Sequence, residues 1–227
     1  MPEYRSIVIT NLLVDNLNPR LAEEQQNQPG TIHALLQAEG EKTLALAEDV
    51  ANQGLSPADR FLVTPAPDGP NRFIALEGNR RLTALKILSE PKLADPALSK
   101  AEADRLRKWS VAYKKRGEID AVDCAVFVSR TEAEPWIVRR HAGELEGVGI
   151  VRWGTTERQR FDARRSGKKS AELQVFDYVR ERGSLDTAMC GKLGNFPITS
   201  LKRLLADRAV REALGVDIDR DGNVIAL

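Results

Sequence analysis

The residues with the clearest chemistry are Glu77-Gly78-Asn79-Arg80-Arg81, at the junction of a predicted strand and a predicted helix. A glycine at such a junction lets a ligand approach the backbone closely. The first helical turn offers unpaired N–H groups and the positive end of the helix dipole, and two arginines add charge that does not titrate. This combination predicts a phosphate-binding site. The alternative is that Arg80 and Arg81 are surface residues of the first turn, with Glu77 as the compensating charge.

Local patterns indicate how this motif is positioned. The apolar runs Phe61–Val63 and Arg72–Glu77 flank a segment dense in turn formers, which predicts a β-hairpin whose second strand leads into the motif. Apolar residues at helical spacing then continue the motif as a helix. Upstream we expect a strand over 4–14, a helix from an N-cap at Thr31 to about Gly40, and a helix over 41–53 capped by Gly54.

The rest of the chain changes from mixed to helical patterning. We expect a helix over 99–116, a strand over 121–128, a helix over 131–143, helices over 156–167, 170–182, 184–192 and 199–214, and a hairpin over 216–227. The predicted fold class is therefore α+β, with an α/β domain over 1–130 and a helical domain over 131–227.

Composition excludes several classes of protein. The 227 residues carry a net charge of +1, with 30% charged and 42% hydrophobic residues, as in a globular chain. No apolar run approaches the ~18 residues of a membrane span, and the first residues lack a secretory signal, so we expect a cytoplasmic protein without membrane contact. Two cysteines, Cys124 and Cys190, and two histidines, His33 and His141, argue against a disulfide framework or a structural zinc site.

Two basic runs stand out despite the balanced charge. They cover residues 105–116 and 152–169, both in segments predicted to be helical. Either they are solvated helix faces with acidic neighbours, or they form a surface that faces phosphates.

The second half contains a candidate helix-turn-helix. Its first helix would be Leu185–Leu193, its turn Gly194–Pro197, and its second helix would begin at Thr199. Thr199, Ser200, Lys202 and Arg203 on the first turns are residue types that reach phosphates and base edges of DNA. The alternative is a packing role, in which Leu201, Leu204 and Leu205 are buried against the preceding helices.

The segment Arg72–Lys86, RFIALEGNRRLTALK, resembles the second box of the ParB/sulfiredoxin-like superfamily. In ParB proteins that box is a strand followed by Gly-Glu-Arg-Arg and a helix, and it binds the triphosphate of CTP. Asn18-Pro19-Arg20 and Leu46–Pro57 resemble the two preceding elements of the same domain. The wider pattern over 139–164, RRHAGELEGVGIVRWGTTERQRFDAR, resembles a branch of ParB-like proteins that also carries EGNRR in place of Gly-Glu-Arg-Arg and is associated with mobile elements and phage defence.

The resemblance implies roles for individual residues. Gly78, Asn79, Arg80 and Arg81 would hold phosphates, and Gly54 to Pro57 would line the nucleobase side. Arg20 is a further nucleotide-binding residue. CTP or another nucleoside triphosphate is the expected cofactor. In sulfiredoxin the position of Asn79 is a catalytic cysteine, so sulfiredoxin activity is not expected here.

The stretch Pro135–Glu144 corresponds to the helix on which CTP-hydrolysing ParB proteins carry Glu-Asn-x-x-Arg, a motif that binds magnesium. This chain has no Glu-Asn pair there. Arg139 and Arg140 would neutralise phosphates instead, with or without Mg²⁺, and His141 would orient a phosphate or a water. The alternative is that all three are ordinary surface or packing residues.

Three functions follow from these patterns. The first is a ParB-like, nucleotide-binding and DNA-binding protein of partition or phage defence, a candidate homodimer with weak CTPase activity, for which Glu77 and His141 are the candidate catalytic residues. The second is a nuclease of the same fold, in which Glu77 would meet Glu48 and Asp49 around a metal ion. The third is a non-catalytic interaction module.

Overall fold

The computed structural model describes residues 1–141, 143, 148–150, 154–182 and 197–226. The chain forms two compact units, residues 1–150 and 151–227. The domain boundary expected near residue 130 falls inside the first unit, ahead of a helix that packs on its sheet. The assignment of separate functions to two domains stays a prediction.

The first unit has the predicted α+β character and is built on one mixed five-stranded sheet. Its strands are β1 Glu3–Val8, β2 Leu12–Val14, β3 Phe61–Pro65, β4 Phe73–Glu77 and β5 Ala121–Val126. Its helices are α1 Gln28–Gln53, α2 Asn79–Ser89, α3 Lys100–Arg116 and α4 Arg130–His141, with 3-10 turns at Ile9–Asn11 and Pro91–Ala97.

The strand order is β1-β5-β3-β4-β2. The predicted hairpin is confirmed, since β3 pairs antiparallel with β4. The single strand predicted over 4–14 is wrong: β1 pairs with β5 at one edge of the sheet and β2 pairs with β4 at the other. The 3-10 turn at Ile9–Asn11 separates them, and the Ile9 N–H donates to Asp120 O at 2.8 Å. The sequence pattern cannot reveal such a change of partner, because pairing depends on strands that lie far away in the chain.

Helix α1 differs from the prediction at its start. Its N-cap is Asn27, whose Oδ1 accepts from the Gly30 N–H at 2.8 Å, and Thr31 lies inside the first turn. The helix break expected near Gly40 is a kink at Glu39, with φ −139° and ψ 32°, in an otherwise continuous helix.

The two faces of the sheet are covered unequally. Helices α1, α2 and α3 bury the larger core on one face. On the other face, α4 covers a small cluster of Leu76, Ala125, Phe127 and Ala133. Helix α2 is buried almost all round, as expected for a helix at the centre of a core, so its N-terminus is held firmly at the end of β4.

The second unit is mainly helical in its described residues. It contains α5 Thr155–Ser166, α6 Ala171–Arg182, α7 Ile198–Ala206, α8 Arg208–Leu214 and the antiparallel strands β6 Asp217–Ile218 and β7 Val224–Ala226. The terminal hairpin is confirmed. The single helix predicted over 199–214 is wrong, because Asp207 ends α7 and caps α8, accepting from the Ala209 N–H at 2.9 Å.

Among the helices of the described residues, none combines the length and the apolar character that a bilayer span requires.

Candidate functional site

A cleft of about 260 Å³ opens where β4 ends, α2 begins and α4 ends. Its lining in the described residues is polar and rich in arginine: Arg20, Leu46, Asp59, Glu77, Gly78, Asn79, Arg80, Arg81, Arg140, His141 and Ile150. The sequence therefore pointed to a set of residues that the fold largely brings together. Their roles stay predictions.

Gly78 makes the turn from β4 into α2 in a left-handed conformation, with φ +100°. A Cβ atom at this position would lie 2.5 Å from Phe61 Cδ1, too close for any larger residue without movement of the ring. Arg81 packs on the same ring, with its Cζ 4.7 Å from the ring centroid. The glycine thus allows the close packing that holds Arg81 at the start of α2.

Arg81 is the most buried cation of the cleft, with a side chain 10% exposed. Its Nη2 donates to Arg60 O at 3.3 Å and to Glu77 Oε1 at 3.4 Å. Its Nη1 has no hydrogen-bond partner among the described residues, and the nearest carboxylate oxygen in an ion pair with it is Asp59 Oδ1 at 3.9 Å. Burial lowers the pKa of Arg81, although Asp59 and Glu77 oppose this. A buried guanidinium with an unused donor is costly unless an acceptor arrives.

Glu77 at the end of β4 is the acidic centre of the cleft. Its carboxylate forms an ion pair with Arg140, with Nε 3.1 Å from Oε1, and lies 2.8 Å from His141 Nε2, in addition to the contact with Arg81. Burial favours a higher pKa for Glu77, but the hydrogen bond and charge of His141 and the charges of Arg81 and Arg140 outweigh it and lower the pKa. Glu77 is therefore held as a carboxylate, and α4 is joined to β4 through it.

Arg80 is compensated by a different acid from Arg81. The Glu39 carboxylate, at the kink of α1, lies 3.4 Å from Arg80 Nη1 and 3.2 Å from Arg20 Nε. Burial favours a higher pKa for Glu39, but Arg20, Lys42 and Arg80 together lower it. The sequence pointed to Glu77 or a ligand as the compensating anion, and the fold adds a second carboxylate from α1.

Asn79 takes part in a structural network. Its Oδ1 accepts from the Asp15 N–H at 2.8 Å, and the side chain of Asp15 binds Arg130 at the start of α4. Asn79 is 4% exposed and still borders the cleft. Its amide oxygen is thus used to hold the backbone just after β2.

Three of the predicted nucleotide-binding residues lie elsewhere. Gly54 ends α1 near the Arg116 guanidinium, and Pro57 is exposed beyond it. Arg139 lies over the ring of Trp136 and lines a different cavity. None of the three lines the cleft, and neither do Glu48 and Asp49, which are exposed on α1 and which the nuclease hypothesis would bring to Glu77.

Sequence reasoning missed Asp59, Asp15 and Arg130. Asp59 forms ion pairs with Arg140 and Arg81, and Asp15 and Arg130 brace the two helices of the cleft. Asp59 lies just before β3, in a short polar segment without a recognisable pattern. Only the pairing of β3 with β4 brings it to the motif.

The four residues predicted to bind DNA lie on the first turns of α7. Thr199, Lys202 and Arg203 are exposed and Ser200 is half-buried. The packing alternative holds for Leu205, which is buried, and for Leu201, which packs against the clusters of α6, but not for Leu204, which is 47% exposed. The first helix of the expected helix-turn-helix, 185–193, and Gly194 lie outside the described residues, so the motif stays a prediction.

Cys124 is unsuited to thiol chemistry. It is fully buried in β5, and burial raises its pKa to about 12. A buried thiol with a raised pKa is inert as a nucleophile.

Over the part of the chain that the structure describes, no three His, Cys, Asp or Glu side chains come together in a group that could hold a metal ion. Magnesium carried by phosphates needs fewer protein ligands, typically one or two carboxylates.

Neither the models of known protein families nor the curated proteins give a match to the chain. Among solved structures, it is similar to the crystal structure of the C-terminally truncated chromosome-partitioning protein ParB from Caulobacter crescentus complexed with CTP-γ-S. The identity is 15%, the match covers 93% of this chain and 84% of that chain, and the TM-score is 0.37. At this TM-score the likeness decides neither fold family nor activity.

Proposed function

We propose that the chain is a ParB-like nucleotide-binding protein whose cleft receives the phosphates of a nucleoside triphosphate, with CTP the ligand expected from its motif. The observation that supports this best is Arg81 Nη1, which is buried at a helix N-terminus without a hydrogen-bond partner in the described residues. A phosphate oxygen at this atom would supply the missing acceptor and favour the charged guanidinium.

The charge of the cleft supports the same ligand. Four guanidiniums, from Arg20, Arg80, Arg81 and Arg140, and two carboxylates are present in its described lining. The N-terminus of α2 adds its N–H groups to this cationic excess. A triphosphate would offset the repulsion between the arginines, which these two acids and Glu39, paired with Arg20 and Arg80, offset in part.

Magnesium fits the proposal as a companion of the nucleotide. Asp59 and Glu77 are the carboxylates beside the expected phosphates, and both oxygen ligands and phosphates suit Mg²⁺. The two carboxylates would bind the ion only after giving up part of their ion pairing with Arg140.

Slow hydrolysis is a second part of the proposal, with Glu77 and His141 as its catalytic residues. If His141 donates its Nε2–H to Glu77, the lone pair is at Nδ1. Nδ1 would then accept a proton from a water that attacks the γ-phosphorus, as the bond to the β,γ-bridging oxygen breaks. Release of inorganic phosphate, lost in His141→Ala while nucleotide affinity is kept, tests this step.

Equilibrium binding of the four nucleoside triphosphates, with and without Mg²⁺, tests the central proposal. Arg81→Gln and Arg80→Ala should each weaken binding by about 10- to 100-fold, the loss of one charge-assisted hydrogen bond. Arg107→Ala removes an exposed arginine of α3 and is the matched control. A folded wild-type protein that binds none of the four, or unchanged affinity in both variants, would overturn the proposal.

DNA binding by the second unit is the remaining part. Besides the exposed start of α7, helix α5 has no buried residue and carries exposed Arg158, Arg164 and Arg165. Exposed cations of this kind would contact the phosphates of duplex DNA, and we therefore expect an affinity that falls steeply as the salt concentration rises. The affinity for a labelled duplex, measured by fluorescence anisotropy, should be close to the wild-type value in Arg107→Ala and lower in the double variant Lys202→Ala/Arg203→Ala. A homodimer and a role in partition or phage defence stay predictions.

A further inference from the structure

A second cavity, of about 380 Å³, lies next to the cleft and is lined in part by α4. We call it the α4 cavity. Leu62, Trp136, Val148 and Ile150 give it an apolar character that the cleft lacks. A volume in this range matches small-molecule sites, whose walls are mostly apolar with a few polar groups.

The α4 cavity and the cleft are adjacent. Glu77, Arg140 and Ile150 line both of them. A ligand with phosphates beside Arg81 would therefore have its remaining part directed either into solvent or into the α4 cavity. A nucleotide matches this pair of sites, because it has an anionic end and a flat, apolar end.

Trp136 is the feature that suits the flat end. Its side chain belongs to α4 and is 49% exposed although it is a large aromatic residue. The Arg139 guanidinium lies 4.8 Å from its ring centroid, which leaves an aromatic ring with an attached cation beside an open cavity. Protein sites that stack bases combine aromatic rings with arginines in this way.

We infer that the α4 cavity is the nucleobase subsite of the nucleotide whose phosphates occupy the cleft, and that the base stacks on Trp136 beside Arg139. This inference rests on the proposed function. It puts the base on α4, away from Gly54 and Pro57, which do not line the cleft. Because stacking uses the π-face that every base has, the subsite discriminates weakly among the four bases.

The test compares nucleotides with inorganic tripolyphosphate, which has no base. Affinities of CTP, ATP, GTP, UTP and tripolyphosphate are measured by calorimetry for the wild type, Trp136→Ala, Trp136→Phe and Val138→Ala. Val138 is equally exposed on α4 and does not line the cavity, so its substitution is the matched control. Trp136→Ala should weaken all four nucleotides by about tenfold, leave tripolyphosphate unchanged, and be largely rescued by Trp136→Phe.

The possible failures are distinct. Tripolyphosphate and nucleotide binding that both persist in Trp136→Ala would overturn the base subsite and leave the phosphate cleft intact. An equal loss for tripolyphosphate and nucleotides in Trp136→Ala would also overturn it, since Trp136 would then act on the cleft through α4. A Trp136→Ala variant with unchanged affinities that converts a dimer into a monomer would assign the cavity to a second copy of the chain. Absence of all binding by the wild type would instead reject the proposed function itself.

Discussion

Arg130 and Asp15, 115 residues apart in the chain, form a two-point ion pair in which two guanidinium nitrogens each lie 2.7 Å from a carboxylate oxygen. The Asp15 side chain is 1% exposed and that of Arg130 is 35% exposed. The Asp15 N–H donates to Asn79 at the start of α2. The pair therefore connects the first residue of α4 to the first residue of α2, the two helices that bound the cleft.

The two partners should differ in their effect on stability. Arg130→Ala leaves a buried carboxylate without its cation, and we expect the free energy of unfolding to fall by about 3 to 5 kcal/mol. Asp15→Asn leaves a half-exposed arginine that can turn to water, and the loss should be smaller. Urea unfolding of both variants and the double variant measures the difference. Equal losses in the two single variants would show that the buried charge is not the main cost.

Gly78 should tolerate no side chain. Its φ of +100° disfavours other residues, and a Cβ would collide with Phe61. We expect Gly78→Ala to destabilise the fold by about 2 to 4 kcal/mol. Gly40→Ala is the control, because a Cβ there meets nothing within 4 Å, and it should be neutral or stabilising by up to about 1 kcal/mol. Equal stabilities of the two variants in thermal and urea unfolding would contradict this prediction.

The contribution of Glu77 to stability should disappear in acid. Its pKa is lowered in the folded protein, so the carboxylate stabilises the fold above its unfolded pKa of about 4.3, and this contribution is lost as the pH falls through the lower folded value. At pH 6 the free energy of unfolding of the wild type should exceed that of Glu77→Gln by about 1 to 3 kcal/mol, since the variant loses hydrogen bonds between charged groups. The gap should close toward pH 3.

Arg81, Arg140 and His141 face the Glu77 carboxylate, and Asp59 lies on the other side of the same arginines. Glu118→Gln removes the same charge at an exposed position and controls for overall charge. A wild-type advantage over Glu77→Gln that stays constant from pH 6 to pH 3 would show that the carboxylate charge is not its source.

Cys124 should react only after unfolding. It is fully buried and burial raises its pKa to about 12, so thiolate is scarce at pH 8 and shielded from reagents. In a Cys190→Ser variant, we expect a colorimetric disulfide reagent to label the remaining thiol many-fold more slowly in buffer than in urea. Labelling in buffer at the rate of a solvent-exposed thiol would contradict this prediction and make Cys124 a candidate for thiol chemistry.

The hairpin and the junction at Gly78 were predictable because their signals are local. Turn formers between two apolar runs, and a glycine between a strand and a helix, express backbone preferences that hold in any fold. The N-terminal strand was predicted incorrectly for the opposite reason. Its division between two sheet edges depends on pairing with β4 and β5, strands far away in sequence.

The sequence by itself determined the α+β class of the first unit, the cationic turn at Gly78–Arg81 and the residue types that could meet a phosphate. Tertiary structure decided which charges meet: Glu39 compensates Arg80 and Arg20, while Glu77 and Asp59 surround Arg81 and Arg140. It also decided that Trp136 and Arg139 face a cavity beside the cleft. Backbone preferences act over a few residues, whereas ion pairs and cavities depend on distances between side chains that only the packed sheet and helices set.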